Sequence, residues 1–379
     1  MKEKIKVLII EDTASDIETY QDTITTINMD LEGFEITATY KRNLEEASAA
    51  IHELKDDLDG AFIDLRLRTG TTVDVNEGND LISEIYGKLR FPIIVLTNTP
   101  GAFDTKFPQS QFLQVFTKTD VEYYDVLMSV VEIYKTGITK ILGKKGMVEH
   151  MLDNIFWKNI SKSLTDWLSV EGAEKPLLRY TLTHLQEHLE ISEDGSEFDN
   201  VLPLESYITP SIKTYFFTGD IIHKKSDKTK NYLILTPACD LAPHGETKLP
   251  KTKDILLAEI QPLTEGVFND KIKVAKKVPE NDEQEKICEN AKSELQKIIK
   301  NNFSAKYYYL PHTSIYQGGL VNFQKLNSIK YSQVKTDYEK IGTVTSQFVK
   351  DIIAKFSFYY SRQGSPDFDF ESIIKSYLN

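Results

Sequence analysis

The chain has 379 residues, of which 40% are hydrophobic and 27% are charged, and its formal net charge is −12 at pH 7. This length predicts two or three domains, and this composition is typical of a globular chain and excludes a largely disordered one. The two cysteines are too few for a disulfide framework. The acidity lies in the N-terminal half, so the near-neutral C-terminal half neither demands nor excludes a nucleic-acid partner.

The sequence has no apolar run of the roughly 18 to 20 residues that a membrane-spanning helix needs. Its start, MKEKIKVLII, leads into an apolar strand pattern instead of a cleavable signal. We therefore expect a cytoplasmic protein with no membrane partner.

The N-terminal region alternates short apolar runs with amphipathic helical patterns. Strands are predicted at residues 5–10, 34–40, 60–65, 92–97 and 112–118, and helices around residues 14–28, 43–54, 78–89 and 121–134. Nearly continuous apolar strands that alternate with helices predict a doubly wound α/β domain whose parallel sheet is buried on both faces. We place this domain at residues 1–137.

Helical character continues beyond this domain with few breaks. Residues 138–198 are predicted to form a helical connector, and pairing with a second copy through these helices, giving a homodimer, is a hypothesis. The polar, glycine-containing segment at residues 190–200 is the predicted linker. Residues 199–379 then change to strands with turns, a charged helix at 282–301 and a closing helix at 345–362, so we expect a β-rich domain of the α+β class.

Polar residues follow four of the predicted N-terminal strands at the point where each strand ends. Glu11 and Asp12 follow the first strand, and Asp64 lies at the end of the third strand. Thr97 ends the fourth strand, and Lys118 ends the fifth strand. The reactive crevice of an open α/β sheet lies beyond the carboxyl ends of its strands. Clustered carboxylates there favour a divalent cation such as Mg²⁺, and one carboxylate can attack phosphorus to form an acyl phosphate.

The segments IIEDTASD, FIDLRL, VLTNT and FTKTD resemble the four motifs of response-regulator receiver domains, over about the first third of the chain. The resemblance implies a flavodoxin-like (βα)5 fold, Mg²⁺ as cofactor and a histidine kinase or kinase-like ATPase as partner. It also implies these roles: metal binding for Glu11, Asp12, Asp64 and the backbone carbonyl of Arg66, phosphoryl acceptance for Asp64, a switch hydroxyl for Thr97 and phosphate binding for Lys118.

Two departures from the receiver pattern lie next to this site. Thr119 follows Lys118 where the family usually has a proline, and the segment after Asp64, RLRTGTTVDVNEGND, is longer than the usual loop. The altered surface predicts an unusual partner. An inactive pseudo-receiver is the alternative to a phosphorylated one.

The C-terminal half does not predict a helix-turn-helix output domain, because it is strand-rich and near neutral where that domain is compact, helical and basic. The segment TPACDLAPHGE holds Cys239, Asp240 and His244. These three predict either a nucleophile or metal site, or a strand end whose cysteine packs while the following residues form a turn. We favour the turn.

Two weaker resemblances concern the same half. TGDIIHKK followed by YLILTPACD is similar to the SH3-like barrels of growth-inhibitor toxins, which makes a small barrel a possible architecture. The arrangement of receiver, PACD segment and terminal SRQGSPDF resembles bacterial proteins encoded near histidine-kinase-type ATPases in conflict or stress-response loci.

Basic and aromatic residues in this half raise nucleic-acid binding as a further hypothesis. Lys224, Lys225, Lys228 and Lys230 form a basic run, and KYYYLPH places three tyrosines in a strand. A solvated hairpin turn and a buried aromatic strand are the commoner structures for such patterns. In the closing helix, the spacing of Phe348, Ile352, Lys355 and Phe356 predicts a face that packs against the core.

The sequence thus predicts a response regulator that is phosphorylated on Asp64 and acts through protein interaction. The alternative is a phospho-regulated effector enzyme, a nuclease or a cysteine hydrolase, in a bacterial stress or anti-phage defence system.

Overall fold

The computed structural model describes residues 2–54, 56–69, 72–74, 77–143, 145–188, 200–245, 249–362 and 367–378. The chain divides into two compact units, Met1–Asp199 and Asn200–Asn379. The division into domains at 1–137, 138–198 and 199–379 stays a prediction, and the linker expected at 190–200 lies, apart from Asn200, outside the described residues. No helix in the described ranges is both long enough and apolar enough to cross a membrane.

The first unit contains seven strands and eight helices within the described residues. The strands are β1 (Glu3–Ile10), β2 (Phe34–Lys41), β3 (Gly60–Ile63), β4 (Leu67–Thr69), β5 (Thr72–Asp74), β6 (Ile93–Thr97) and β7 (Leu113–Thr117). The helices are α1 (Ala14–Asp30), α2 (Leu44–Leu54), α3 (Glu77–Ile85), α4 (Tyr123–Lys135), α5 (Ile138–Leu142), α6 (Met147–Ile155), α7 (Leu164–Trp167) and α8 (Glu174–Glu187).

Five of these strands form one parallel sheet in the order β2-β1-β3-β6-β7. Numbered by their order along the chain, these five strands have the order 2-1-3-4-5 that is typical of flavodoxin-like folds. The predicted flavodoxin-like architecture is therefore confirmed, with every predicted strand within three residues of its observed bounds. The remaining two strands, β4 and β5, form a short antiparallel hairpin after β3.

Alternating side chains of β1, an inner strand of the sheet, point into two separate cores. Ile5, Val7 and Ile9 pack on one face with α1 and α4, while Leu8 and Ile10 pack on the other with α2 and α3. Strands buried on both faces explain why the apolar runs in the sequence are nearly continuous.

The connection from β6 to β7 has no α-helix, although every earlier crossover between parallel strands of this sheet has one. A single 3₁₀ turn, Pro100–Ala102, lies there instead. Phe103 and Phe107 of this connection are buried against the same core as α2 and α3, and the Phe107 ring lies 5.3 Å from the ring of Tyr86. Two aromatic side chains thus cover the part of the sheet that a helix would otherwise cover.

Helices after α4 extend the first unit. α5 and α6 pack against each other, and α8 packs on α6. Between α6 and α7 the chain forms one π-helical turn, Phe156–Ile160, and one 3₁₀ turn, Ser161–Ser163. Many apolar side chains here remain exposed, including Trp157 at 70%, Leu168 at 77% and Leu178 at 60%.

The second unit is built on one antiparallel sheet. Its strands are β8 (Tyr207–Ile208), β9 (Asp220–Lys224), β10 (Asp227–Ile234), β11 (Asp254–Gln261), β12 (Tyr307–Leu310), β13 (Gly319–Lys330) and β14 (Tyr338–Val344). Its helices are α9 (Ala238–Leu241), α10 (Gly266–Ala275), α11 (Asp282–Ile299), α12 (Tyr331–Asp337), α13 (Ser346–Ser361) and α14 (Phe370–Leu378). The sheet order is β12-β13-β11-β10-β9-β14-β8.

The sheet of the second unit is curled without being a hydrogen-bonded barrel. Its two edge strands, β12 and β8, do not pair with each other. Side chains bridge them: the Tyr207 hydroxyl donates to the carbonyl oxygen of Pro311 at 2.7 Å, and the Tyr207 and Tyr316 rings lie 5.4 Å apart. The SH3-like barrel suggested by the sequence is therefore replaced by an open, curled seven-stranded sheet, which remains within the predicted α+β class.

The GD turn before β9 is held by a buried carboxylate. Asp220 is fully buried, and it accepts hydrogen bonds from the backbone N–H of Phe217 and from the hydroxyl of Thr343, while Lys340 lies 2.9 Å from its Oδ2. Gly219 has a φ of +85°, which a residue with a Cβ rarely adopts. The turn signal in the sequence thus reflects a structural requirement of the sheet.

The closing helix α13 packs as its spacing predicts. Ile352 is 1% exposed, and Phe348 and Phe356 pack against the same core. Lys355 donates to the carbonyl oxygen of Asn301. Tyr308, in the aromatic strand β12, is 2% exposed, so this tyrosine serves the core and offers no stacking surface for bases.

Candidate functional site

The polar residues at the strand ends of the first unit lie at one edge of its parallel sheet. Glu11 follows β1, Asp64 follows β3, Thr97 ends β6 and Lys118 follows β7, and these four strands are neighbours in the sheet. The parallel register brings their carboxyl ends to the same edge. The edge that the sequence marked as reactive is therefore a single site in the fold.

The Lys118 ammonium is the centre of this site. Its Nζ lies 2.5 Å from Oε2 of Glu11, 2.5 Å from Oδ2 of Asp16 and 2.8 Å from Oδ2 of Asp64. The side chains of Lys118, Glu11 and Asp64 are 7%, 1% and 8% exposed, so these charges are withdrawn from water, whereas Asp16 is 25% exposed. Charge-assisted bonds of this kind are strong when they are shielded from solvent.

Burial and charge pairing oppose each other in setting the pKa values of the site. Burial alone would lower the pKa of Lys118, but hydrogen bonds to Asp16, Asp64 and Glu11 together outweigh it and raise that pKa above its usual 10.5. Burial raises the pKa of Glu11 above its usual value, and the bond to Lys118 offsets only part of this effect. Lys118 therefore remains charged at neutral pH, whereas burial disfavours the ionised form of the Glu11 carboxyl group.

Backbone groups fix the orientation of the Asp64 carboxylate. The N–H of Arg66 donates to Oδ1 of Asp64 at 3.2 Å, while Oδ2 accepts from Lys118. The N–H of Asp64 itself donates to the carbonyl oxygen of Ile10 at 3.0 Å, which ties it to β1. One Asp64 oxygen is thus held by the main chain and the other by the lysine.

Gly78, at the start of α3, packs against the backbone of the Asp64 segment. A Cβ on this glycine would lie 2.5 Å from Cα of Leu65 and 2.7 Å from the carbonyl oxygen of Asp64. The N–H of Gly78 also donates to the carbonyl oxygen of Leu65 at 3.4 Å. The start of α3 therefore packs directly against the backbone of Asp64 and Leu65.

The Thr97 hydroxyl is fully buried at the end of β6. Its Oγ1 accepts from the backbone N–H of Thr99 at 3.3 Å and lies 3.5 Å from the Thr99 hydroxyl. Thr97 therefore shares the edge with Asp64 and, in this conformation, bonds within its own loop.

The acidic residues at this edge suit a hard divalent cation by their chemistry. Glu11, Asp12, Asp16 and Asp64 supply four carboxylates, and Lys118 bonds three of them, those of Glu11, Asp16 and Asp64. Mg²⁺ prefers such oxygen donors together with water and phosphate. Within the described ranges no three acidic, histidine or cysteine side chains are already arranged as metal ligands. The donor set fits Mg²⁺, and its binding requires the carboxylates to rearrange around the lysine.

Asp16 is the member of this charged cluster that sequence reasoning missed. It lies in the first turn of α1, where an acidic residue ordinarily complements the helix dipole. Its only distinguishing signal was its place in the motif IIEDTASD, five residues after Glu11. Three predicted site residues, Glu11, Asp64 and Lys118, lie together as expected. Asp12, which was also predicted, accepts a hydrogen bond from the Thr13 hydroxyl at 3.2 Å.

The PACD segment in the second unit has the geometry of a turn. Nε2 of His244 lies 2.7 Å from the carbonyl oxygen of Cys239, so this nitrogen bonds the backbone and not the thiol. The exposed thiol of Cys239 lies 3.7 Å from Oδ1 of Asp240. This arrangement supports the favoured structural interpretation.

The basic run of the second unit lies on the hairpin between β9 and β10. Lys225 donates to the carbonyl oxygen of Thr336 at 2.7 Å, and Lys228 lies 3.8 Å from Glu339. Lys225 therefore bonds the helix α12 and Lys228 lies close to β14, as expected of lysines in a hairpin turn.

The chain is similar in structure to response regulators. It matches the phosphorylated cyanobacterial phytochrome response regulator RcpA with 19% identity and a TM-score of 0.25, over 35% of this chain and 92% of that chain. It matches the RcsB response regulator of Salmonella typhimurium with 15% identity and a TM-score of 0.27, over 48% of this chain and 99% of that chain. The isolated REC domain of RcsB from Salmonella enterica serovar Typhimurium matches with 15% identity and a TM-score of 0.25, over 35% of this chain and 90% of that chain.

No protein-family model and no curated protein matches the chain. The receiver-like fold of the first unit rests on its own strand order and on the site at its strand ends.

Proposed function

We propose that this protein is a response regulator whose Asp64 accepts a phosphoryl group from a histidine kinase or kinase-like ATPase. The observation that carries the proposal is the bond from Lys118 to Asp64, which joins the ends of two strands at the edge where Glu11 also lies. A carboxylate held beside a permanent positive charge is suited to attack phosphorus, because the lysine balances the charge that develops on the phosphoryl oxygens.

The proposed transfer exchanges one bond to phosphorus for another. An oxygen of the Asp64 carboxylate forms a bond to phosphorus while the bond from phosphorus to the partner's histidine nitrogen breaks, and that nitrogen keeps the electron pair. Oδ2 of Asp64 already bonds Lys118, whereas Oδ1 bonds the Arg66 N–H. The lysine can move with the new phosphoryl oxygens, because its four-carbon side chain is flexible.

Mg²⁺ would be held by carboxylates of Glu11, Asp12 and Asp64 and by the backbone carbonyl of Arg66. When bound, the cation supplies positive charge that neutralises the phosphoryl oxygens. Burial raises the pKa of Glu11 and so disfavours its ionised form, and a cation close to the carboxylate would favour that form. The residues of the chain itself orient the acceptor and exclude water from it.

The phosphoryl group would be read through the residues that bond Lys118 and through the Thr97 loop. Phosphorylation adds close to two negative charges, which compete with Asp16 and Glu11 for the lysine. The Thr97 hydroxyl can exchange its bond with Thr99 for one to the phosphoryl group. This change would alter the contacts made by the helical segment at residues 138–198. The second unit would act through protein interaction, because no helix-turn-helix is predicted for it.

Exposed apolar side chains favour the helical segment as the surface for a second copy. Trp157, Leu168 and Leu178 are each at least 60% exposed, and such groups are usually covered in an assembly. Mass measurement in solution, with and without beryllofluoride as phosphate mimic, tests this part. A monomer mass under both conditions would remove dimerisation from the proposal.

The proposed phosphorylation is tested by incubating the full chain with Mg²⁺ and acetyl phosphate, followed by intact mass measurement. We expect the mass of one added phosphoryl group, lost after treatment with hydroxylamine because acyl phosphates react with it. The variant Asp64→Asn is expected to gain no mass. Asp22→Asn, an exposed aspartate of α1, is the matched control and should behave as wild type. Absence of any mass gain in the wild type would contradict the proposal and favour a pseudo-receiver.

A further inference from the structure

A cavity of about 210 Å³ lies in the first unit at the opposite edge of the sheet from Asp64. Lys4 and Lys6, near the start of β1, form one wall, and Arg90, before β6, forms another. α5 and the turn that leads into α6 close the cavity through Thr139, Lys140 and Lys145. The cavity therefore lies where the helical segment meets the doubly wound core.

Basic side chains outnumber acidic ones in this cavity. Its lining includes five lysine or arginine residues against three aspartates. Lys140 forms a short ion pair with Glu3 at 2.8 Å, but Lys6 lies 3.4 Å from Asp57 and Arg90 lies 3.8 Å from Glu149. Exposed pairs as long as the last two contribute little to stability and exchange readily for a better partner. Lys145 forms no ion pair with the described residues.

One buried polar group of the lining lacks a partner of ordinary geometry. Thr139 is 5% exposed, and its hydroxyl has no hydrogen-bond partner within distance and angle limits among the described residues. It interacts with the Asp59 carboxylate: this interaction lowers the pKa of Asp59, while burial raises that pKa more strongly. A buried hydroxyl without a hydrogen bond of good geometry can bond a ligand in the cavity that it lines.

The turn before α6 lines the same cavity through Gly143, Lys145 and Gly146. Gly146 precedes the nine-residue helix α6 and has no side chain to cap it. A Cβ at Gly146 would lie 2.5 Å from the carbonyl oxygen of Lys140, so this close turn requires glycine. The start of a helix favours an anion, and Gly146 places the start of α6 beside the basic walls.

We propose that this cavity binds a phosphate group, either as free phosphate or as part of a compact phosphorylated small molecule. Lys4, Lys6, Arg90 and Lys145 would surround the phosphate oxygens, and the Thr139 hydroxyl would donate to one of them. The aspartates of the lining accept hydrogen bonds from hydroxyl groups, which suits a hydroxylated carrier of the phosphate. The site is separate from the proposed phosphorylation of Asp64 and does not rest on it.

Binding there would fasten the helical segment to the core. Lys4, Lys6 and Arg90 come from the core, whereas Thr139 and Lys145 come from the segment, so one ligand bonds both. A ligand that binds only the folded arrangement raises its thermal stability by mass action. The cavity is thus suited to sense a phosphorylated metabolite through the position of these helices.

The proposal is tested by calorimetric titration of the full chain in the Asp64→Asn background, without Mg²⁺, using inorganic phosphate, ribose 5-phosphate and ribose. We expect saturable binding at one site by at least one of the two phosphates and none by ribose. Tighter binding of ribose 5-phosphate identifies a phosphorylated small molecule, and binding of inorganic phosphate alone identifies free phosphate. Failure of both phosphates to bind would overturn the proposal.

Variants decide whether binding occurs in this cavity. Lys145→Gln and Arg90→Gln should each weaken binding by about tenfold, because each removes a charge-assisted bond. Lys88→Gln, which removes an equal charge from an exposed position outside the cavity, should leave binding unchanged. Thr139→Val should weaken binding, whereas Thr139→Ser should retain it. Equal affinity in Lys145→Gln and wild type, with thermal midpoints that show both folded, would place the ligand elsewhere.

Discussion

Lys118 is bonded to Asp16 as closely as to any other residue of its site, with 2.5 Å between Nζ of Lys118 and Oδ2 of Asp16. Asp16 belongs to the first turn of α1, while the other two partners of the lysine follow strands. It is also the most exposed of the three carboxylates. The lysine proposed to bind phosphate is therefore held by a carboxylate that has no place in the predicted set of site residues.

We expect Asp16→Asn to accelerate phosphorylation of Asp64 by acetyl phosphate. Asp16 competes with an incoming phosphoryl group for the Lys118 ammonium, and the amide of asparagine competes less. A partly exposed pair is worth up to about 1 kcal/mol, so the initial rate should rise by up to about fivefold. The rate is measured from intact mass against time, with Asp22→Asn as the control. A rate at or below that of wild type would show that Asp16 positions the lysine instead of restraining it.

We expect Lys118→Met to destabilise the first unit most strongly at neutral pH. Without the lysine, the buried carboxylates of Glu11 and Asp64 lose their positive partner, which costs about 3 to 5 kcal/mol when such a pair is broken. The loss should shrink as pH falls and the carboxylates take up protons. Addition of Mg²⁺ should recover part of it at pH 7. Denaturant unfolding of both proteins at several pH values measures these differences, and a pH-independent loss would contradict them.

The fold of the first unit was largely predictable because its strands are short apolar runs between clear breaks. The inner strands β1, β3 and β6 are largely buried on both faces, and the limits of all five strands in the sequence coincide with their limits in the structure to within three residues. Less of the second unit was predictable. The strand β14, with sequence YEKIGTV, was missed because it has little apolar character and is fixed by pairing with β9 and β8, which lie far away in the chain.

The candidate site was predictable where it depends on strand ends and unpredictable where it depends on packing. Glu11, Asp64 and Lys118 follow strands whose parallel order brings them together. Asp16 reaches the lysine only because α1 packs over the sheet at a particular angle, which the helical pattern alone does not set. Gly78 likewise has no signal in the sequence, since its role is the close approach of α3 to the Asp64 segment.

The raised pKa of Glu11 predicts a pH dependence of stability with a definite sign. The folded protein binds a proton on Glu11 more tightly than the unfolded chain does, so the contribution of this group is largest below its ordinary pKa of 4.5. It declines as pH rises from that value through the folded-state pKa. Lys118 does not titrate in this window, because its pKa is raised above 10.5. The stability of wild type relative to Glu11→Gln should therefore fall with rising pH, and a rise would contradict the assignment.

We expect Cys239→Ala to leave the stability of the second unit within about 0.5 kcal/mol of wild type, since the thiol is exposed. His244→Ala should cost about 1 kcal/mol, because it removes the hydrogen bond to the Cys239 carbonyl oxygen. Thermal unfolding measures both. The reverse order of effects would mean that the thiol, and not the histidine, holds this turn, and would reopen the interpretation of the segment as a reactive site.

We expect Gly78→Ala to impair both stability and phosphorylation. The added Cβ would meet the backbone of Leu65 and Asp64 at distances that no side-chain rotation can relieve, and displacement of α3 or of the Asp64 segment must follow. Overpacking of this kind costs about 1 to 3 kcal/mol. Gly101→Ala is the matched control, because a Cβ at Gly101 meets nothing within 4 Å. We expect the phosphorylation rate to fall together with the stability, because the displaced backbone carries Asp64 itself. If Gly78→Ala instead keeps the phosphorylation rate of Gly101→Ala while losing stability, then α3 supports the fold without positioning the acceptor.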